Sequence, residues 1–197
     1  MTFFLRGVRI KLSFWFFLIA SLLLLIDRSG VAGLFVAAIA VHEGGHLLCL
    51  LPARLPLGGA ELSPRGLILS LAPGCRPSPG QSLVLNLSGC GANFLAAAAL
   101  ALLPVGGMPA LRLSAVNTAL GLANLLPVPG LDGGQALEDA LVLLLGWERG
   151  VRIHAVLTRG ICLLGAAVCG WMIVARGAGG APVWLMLVFA AGGARTR

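Results

Sequence analysis

The chain has 197 residues, of which 58% are hydrophobic and only 11% are charged, whereas about 25% are charged in an ordinary soluble domain. This composition excludes such a domain and indicates a polytopic membrane protein built as a single unit. The net charge of +7 comes from basic residues scattered along the chain, without any nucleic-acid-binding motif. We therefore interpret them as topology signals beside the lipid bilayer and exclude a nucleic-acid partner.

The first predicted membrane span covers residues 12–26. It follows Arg6, Arg9 and Lys11, as the apolar core of a signal peptide does, but no clear cleavage site of small residues comes after it. We therefore interpret this span as a retained signal anchor.

The second predicted span, residues 31–51, contains His-Glu-Gly-Gly-His at positions 42–46. On a helix, residues i and i+4 share a face about 6 Å apart along the axis, so both imidazoles can reach one metal ion. Glu43 is rotated by about 100° from His42, which suits a base that acts on a water beside the metal. Ionisable groups are costly in an apolar span unless they are paired or bind a metal, so the motif predicts a metal site.

Residues 52–82 differ in character from the spans on either side. Two apolar segments, 57–62 and 66–71, flank a Ser-Pro-Arg turn and predict a short membrane-associated β-hairpin. Because an open sheet edge cannot face lipid, the hairpin must be covered by protein or lie at the membrane interface. Its free edge could receive an extended peptide, or the hairpin could serve only as a connector on the membrane surface.

Further spans are predicted at residues 82–103, 110–126, 156–175 and 182–193, which gives an all-α polytopic membrane protein with about six transmembrane helices. Asn93 in the third span either orients a metal ligand or makes an interhelical hydrogen bond. Residues 146–154 are predicted to form a polar surface segment.

A third metal ligand is expected, because a catalytic zinc usually has three protein ligands and a water. Prolines and glycines interrupt the chain at residues 127–134, and Asp132 lies among them. Broken helices are tolerated at membrane depth where they line a cavity, so we favour Asp132 over Glu138 and Asp139. The alternative is that Asp132 only caps the helix predicted at 135–145. His154, Glu61 and Glu148 are predicted to lie at the surface.

The basic residues also predict the topology. With six spans and both termini in the cytoplasm, 11 of the 14 Lys and Arg residues lie on the cytoplasmic side, as the positive-inside rule requires. The second and fourth spans then run inward, which brings His46 and Asp132 to the same depth near the cytoplasmic face.

Taken in this order, the motifs resemble those of the site-2 proteases, which are intramembrane zinc metalloproteases. The resemblance rests on His-Glu-Gly-Gly-His at 42–46, on Asn-Leu-Leu-Pro-Val-Pro-Gly-Leu-Asp-Gly-Gly at 124–134, and on Ser-Gly-Cys-Gly-Ala-Asn at 88–93. The family usually has proline where this chain has Gly130, and often a proline in the segment matching 88–93. The resemblance covers about residues 10–176, leaves no room for a PDZ or CBS domain, and is nearest in layout to the sporulation-type branch.

Several expectations follow from this resemblance. It implies one zinc ion held by His42, His46 and Asp132, with Glu43 as the base that takes a proton and later gives it to the leaving amine. Asn124 and Asn93 are expected to bind the substrate backbone or the developing oxyanion. The substrate is expected to be a membrane-tethered regulator in the cell membrane, such as an anti-sigma or pro-sigma factor, cleaved in or near its transmembrane segment.

Two other classes share part of this pattern. An HtpX-like membrane zincin also contains His-Glu-x-x-His but takes a glutamate on a later helix as third ligand, for which Glu138 is the candidate. A metal-binding transporter or scaffold without proteolysis is the other alternative, although such a protein has no need of the base at Glu43.

Overall fold

The computed structural model describes residues 2–5, 8–53, 56–63, 66–102 and 107–176, with residues 180, 183, 186 and 189. This part of the chain forms six principal helices and one four-stranded sheet. The helices are α1 (Phe14–Ile26), α2 (Val31–Ala53), α3 (Pro79–Leu102), α4 (Gly107–Asn124), α5 (Asp132–Leu145) and α6 (Trp147–Arg176). The strands are β1 (Thr2–Leu5), β2 (Val8–Leu12), β3 (Leu57–Ser63) and β4 (Gly66–Leu71).

These elements group into two compact units. The first comprises Met1–Gln81 and Ser88–Ala123, and it contains the sheet, α1, α2 and most of α3 and α4. The second comprises Ser82–Leu87 and Asn124–Arg197, and it contains a short part of α3, the interruption after α4, and helices α5 and α6.

Among the described residues, three helices are long and apolar enough to cross a membrane: Val31–Leu50 in α2, Pro79–Leu102 in α3 and Trp147–Ala175 in α6. Large apolar side chains remain exposed on the helices, as expected for surfaces that face lipid; Val174, for example, is 86% exposed. The membrane character and the helical class are thus confirmed, but six transmembrane helices are not. The predicted sixth span, 182–193, lies mostly outside the described residues.

Helix α6 begins earlier than predicted, because residues from Trp147 onward are helical. His154 is consequently only 8% exposed, although the sequence places it at the surface. Its Nδ1 atom lies 3.2 Å from a carboxylate oxygen of Glu138 on α5. The close approach of α5 and α6 requires Gly150, since a Cβ atom there would be 2.6 Å from the backbone nitrogen of Val142. The charged residues Glu148, Arg149 and Arg152 are exposed, in agreement with the predicted polar surface segment, but they belong to the first turns of a helix.

The predicted hairpin is confirmed as the antiparallel pair β3 and β4. The sheet is larger than predicted, because β1 and β2 form a second antiparallel pair and β2 runs parallel to β3. Lys11 and Glu61 are directly paired across β2 and β3, and their side chains form an ion pair at 2.8 Å. Apolar and basic residues alternate at positions 8–12, which is a strand pattern. Interpreting the basic residues as the flank of a signal anchor does not predict this strand.

Gly45 sets the separation between α2 and α3. A Cβ atom at this position would be 2.6 Å from the carbonyl oxygen of Ser88 and 2.7 Å from the Cβ atom of Ala92. Small residues at a crossing let two membrane helices approach closely. The middle of α3, around Ser88 and Ala92, therefore packs directly against the turn of α2 that carries the two histidines.

We expect Gly45→Ala to destabilise the fold and Gly44→Ala to leave it intact. The added methyl group at 45 meets backbone atoms of α3, and overpacking of this kind costs about 1–3 kcal/mol. A Cβ atom at 44 meets nothing within 4 Å, so Gly44→Ala should be neutral or stabilise the helix by up to about 1 kcal/mol. Unfolding of both variants in mixed detergent micelles measures the difference. Equal stability of the two variants would contradict the close crossing at Gly45.

Candidate metal centre

His42 and His46 lie one turn apart on α2, and their Nε2 atoms are 3.3 Å apart. The rings are nearly perpendicular, with an interplanar angle of 88°. In a tetrahedral zinc site with Zn–N bonds of about 2.0–2.1 Å, two nitrogen ligands lie roughly 3.3 Å from each other. The spacing of the two Nε2 atoms therefore fits a shared metal ion.

The other ring nitrogen of His42 is held by α3. Its Nδ1 atom is 2.7 Å from Oδ1 of Asn93, while Nδ2 of Asn93 donates to the carbonyl oxygen of Ala38 at 3.0 Å. A backbone carbonyl can only accept a hydrogen bond, so the amide nitrogen of Asn93 must face Ala38 and its oxygen must face His42. Nδ1 of His42 therefore carries a proton, which leaves Nε2 as the ring nitrogen that can offer a lone pair to a metal ion.

Asn93 has no exposed surface, and its oxygen and its nitrogen both bond within the protein. This geometry fits the orientation of a metal ligand, which is one of the roles expected for Asn93, whereas binding of substrate backbone by Asn93 stays a prediction. Ser88 makes the corresponding contact with the second histidine, because its Oγ atom lies 3.3 Å from Nδ1 of His46. No signal in the sequence singles out Ser88 for this contact.

Asp132 is the first residue of α5, and Leu131 occupies the N-cap position. Asp132 is therefore not the cap of this helix, which was the alternative to a metal role. The turn before Asp132 is tight, because the backbone nitrogen of Val128 donates to the carbonyl oxygen of Leu126 at 2.7 Å. Gly133 and Gly134 are required here, because a Cβ atom on either would collide with the backbone, of Leu125 in the first case and of Val128 in the second.

His42, His46 and Asp132 each offer one ligand atom, and these three atoms lie within 4.8 Å of one another. Two imidazoles and a carboxylate, with a fourth position for water, form a donor set typical of catalytic zinc. The residues thus form a group that could hold a metal ion.

The other carboxylates considered as third ligand have different partners. Glu138 lies beside His154, and Asp139 accepts a hydrogen bond of 2.9 Å from Nδ2 of Asn86 on α3. Glu43 is half-buried next to His42, and Asn124 is half-buried at the end of α4. The Glu138 pairing disfavours the zincin class that takes a glutamate from a later helix.

Comparisons with known proteins bear on the fold. Neither the protein-family models nor the curated proteins include a match to this sequence. Among solved structures, the chain is similar to the site-2 protease from Methanocaldococcus jannaschii, with a TM-score of 0.62 and 20% sequence identity. The similarity covers 100% of this chain and 93% of that one. The described helices and sheet therefore belong to the fold of a site-2 protease, whereas assignment to the sporulation-type branch stays a prediction.

We expect Gly89→Ala to weaken zinc binding, and Gly91→Ala to serve as its matched control. A Cβ atom on Gly89 would collide with Nε2 of His46 and lie 2.8 Å from Cε1 of His42, whereas one on Gly91 meets nothing within 4 Å. Disturbing the surroundings of metal ligands typically reduces affinity by about 10–100-fold. Competition with a chelator of known affinity measures this loss, and wild-type affinity in Gly89→Ala would contradict the proposed position of the metal.

The third ligand can be identified by comparing Asp132→Ala with Glu138→Ala. Loss of Asp132 removes a ligand and should weaken zinc binding by more than about 100-fold, beyond the usual effect of losing an outer partner. Glu138→Ala removes only the partner of His154 and should retain stoichiometric zinc. Zinc content after purification and dialysis reports both results. The opposite pattern would assign the site to the zincin class with a glutamate ligand.

Proposed function

We propose that the protein is an intramembrane zinc metalloendopeptidase that cleaves a membrane-tethered regulatory protein in or near its transmembrane segment. The observation that carries the proposal is the group of His42, His46 and Asp132 in a chain whose α2 helix is apolar enough to cross a membrane. The similarity in fold to a site-2 protease supports proteolysis as the reaction.

The donor set favours zinc, and the proposed stoichiometry is one ion per chain. When bound, zinc supplies a Lewis acid that makes water more acidic and polarises a carbonyl group. His42 and His46 hold neutral nitrogens toward the ion, and Asp132 contributes one negative charge. Asn93 and Ser88 keep the imidazole rings in place through their Nδ1 atoms.

Glu43 is the proposed catalytic base. It follows His42 on α2 and is rotated by about 100° from it, so its carboxylate lies beside the metal ligands instead of among them. In this position it accepts the proton of the attacking water and delivers it to the amine that leaves. Asn124, at the end of α4, is the proposed donor to the substrate backbone or to the oxyanion that forms at the scissile carbonyl.

A helical substrate must unwind before it is cleaved, because its backbone amides are bonded and shielded within the helix. The edge of the sheet is the proposed site that receives the unwound segment. Strand β4 is the last in the order β1-β2-β3-β4 and pairs only with β3 among the described strands. An extended peptide could therefore add to β4 as a further strand.

The proposed location is the cell membrane, with both termini cytoplasmic and the site near the cytoplasmic face, as the distribution of Lys and Arg predicts. Cleavage at this depth suits release of a cytoplasmic domain. Anti-sigma and pro-sigma factors with a single membrane span are accordingly the first substrates to examine.

We expect Glu43→Gln to lower cleavage at least about 100-fold, the minimum usually lost with a general base, while zinc stays bound. Glu148 is exposed, so Glu148→Gln is the matched control and should cleave at the wild-type rate. Co-expression with candidate single-span regulators, followed by detection of the released domain, measures the effect. Cleavage by Glu43→Gln at the wild-type rate would rule out the assigned base.

A further inference from the structure

We infer that Asn117 on α4 is a positioning residue that orients His42 through Asn93. Asn117 has no exposed surface, and its Oδ1 atom accepts a hydrogen bond of 2.8 Å from Nδ2 of Asn93. Asn93 in turn accepts from His42 at 2.7 Å. A single chain of contacts thus links α4, which carries neither histidine, to the Nδ1 atom of His42 on α2.

The direction of every hydrogen bond in this chain is fixed by two backbone carbonyls. Nδ2 of Asn117 donates to the carbonyl oxygen of Leu113 at 2.9 Å, so its Oδ1 atom is the group that faces Asn93. Nδ2 of Asn93 donates to the carbonyl oxygen of Ala38, so its Oδ1 atom faces His42. Because carbonyls only accept, reversing either amide would place two acceptors or two donors against each other.

Asn117 therefore completes the set of partners that holds Asn93. The amide of Asn93 has two N–H groups, and the described contacts direct one to Ala38 and the other to Asn117. Without Asn117, one N–H group would be buried without a partner, and Asn93 would turn to satisfy it. The contact with Nδ1 of His42 would then loosen, and the proton of the imidazole would no longer be confined to that nitrogen.

A second buried contact between α3 and α4 provides a control for the packing of these helices. Oγ of Ser114 donates to the carbonyl oxygen of Ala97 at 2.8 Å, about one turn before Asn117 on the same helix. Ser114→Ala removes a buried hydrogen bond between the helices but leaves the chain of contacts to His42 intact. A general loss of helix packing should therefore affect both positions, whereas loss of orientation should affect Asn117 alone.

The inference rests on the proposed metal site, and zinc affinity of the full-length protein tests it. We expect Asn117→Ala to weaken zinc binding on the order of 10-fold, near the lower limit for outer partners of a metal ligand. Ser114→Ala should stay within about twofold of wild type. Wild-type affinity in Asn117→Ala, or an equal loss in Ser114→Ala, would overturn the inference.

Nitrogen chemical shifts of His42 in the metal-free protein give a second, independent measurement. In wild type and in Ser114→Ala the proton should reside on Nδ1, and in Asn117→Ala it should be shared between Nδ1 and Nε2. An unchanged tautomer in Asn117→Ala would overturn the inference. Neither measurement requires cleavage. A protein that binds zinc but cleaves nothing would refute the proposed proteolysis. The zinc affinity of Asn117→Ala relative to wild type would still decide the role of Asn117.

Discussion

The structure depends on placing two imidazoles side by side in an apolar helix without leaving their polar atoms unpaired. Gly45 and Gly89 make this possible sterically, because they let α3 approach α2 until its side chains reach the rings. Asn93 and Ser88 then satisfy the Nδ1 atoms from α3, so the Nε2 atoms are left facing each other. Ionisable side chains in a membrane span are costly unless they are paired or bind a metal, and the spacing of these Nε2 atoms fits metal binding.

The interruption after α4 determines where the carboxylate of Asp132 lies along the chain. Pro127 and Pro129 prevent the helix from continuing, and Gly130 adopts a φ of 94° that only glycine tolerates readily. Helix α5 then begins at Asp132, and the positive end of its dipole stabilises negative charge in the first turn. The glycines that follow are needed for close backbone packing, so the motif around Asp132 has a structural explanation beside its chemical one.

Much of the centre can be predicted from the sequence, because its signals are local. The spacing of His42 and His46 follows from helix geometry, and the glycines and prolines around Asp132 mark a break at membrane depth. The role of Asn117 could not be predicted, since it depends on the packing of α4 against α3. The burial of His154 was missed for a similar reason: its partner Glu138 lies on another helix. The N-terminal strands were missed because basic residues next to an apolar span indicate a signal anchor as readily as a strand.

The central claim is that two histidines and a distant aspartate together hold one zinc ion. An anomalous difference map at the zinc absorption edge, from crystals of the zinc-loaded protein, tests it most directly. The account predicts a single peak at about 2.0–2.2 Å from Nε2 of His42, Nε2 of His46 and a carboxylate oxygen of Asp132. A peak coordinated by Glu138 or a cysteine in place of Asp132, or no peak between the two imidazoles, would contradict it.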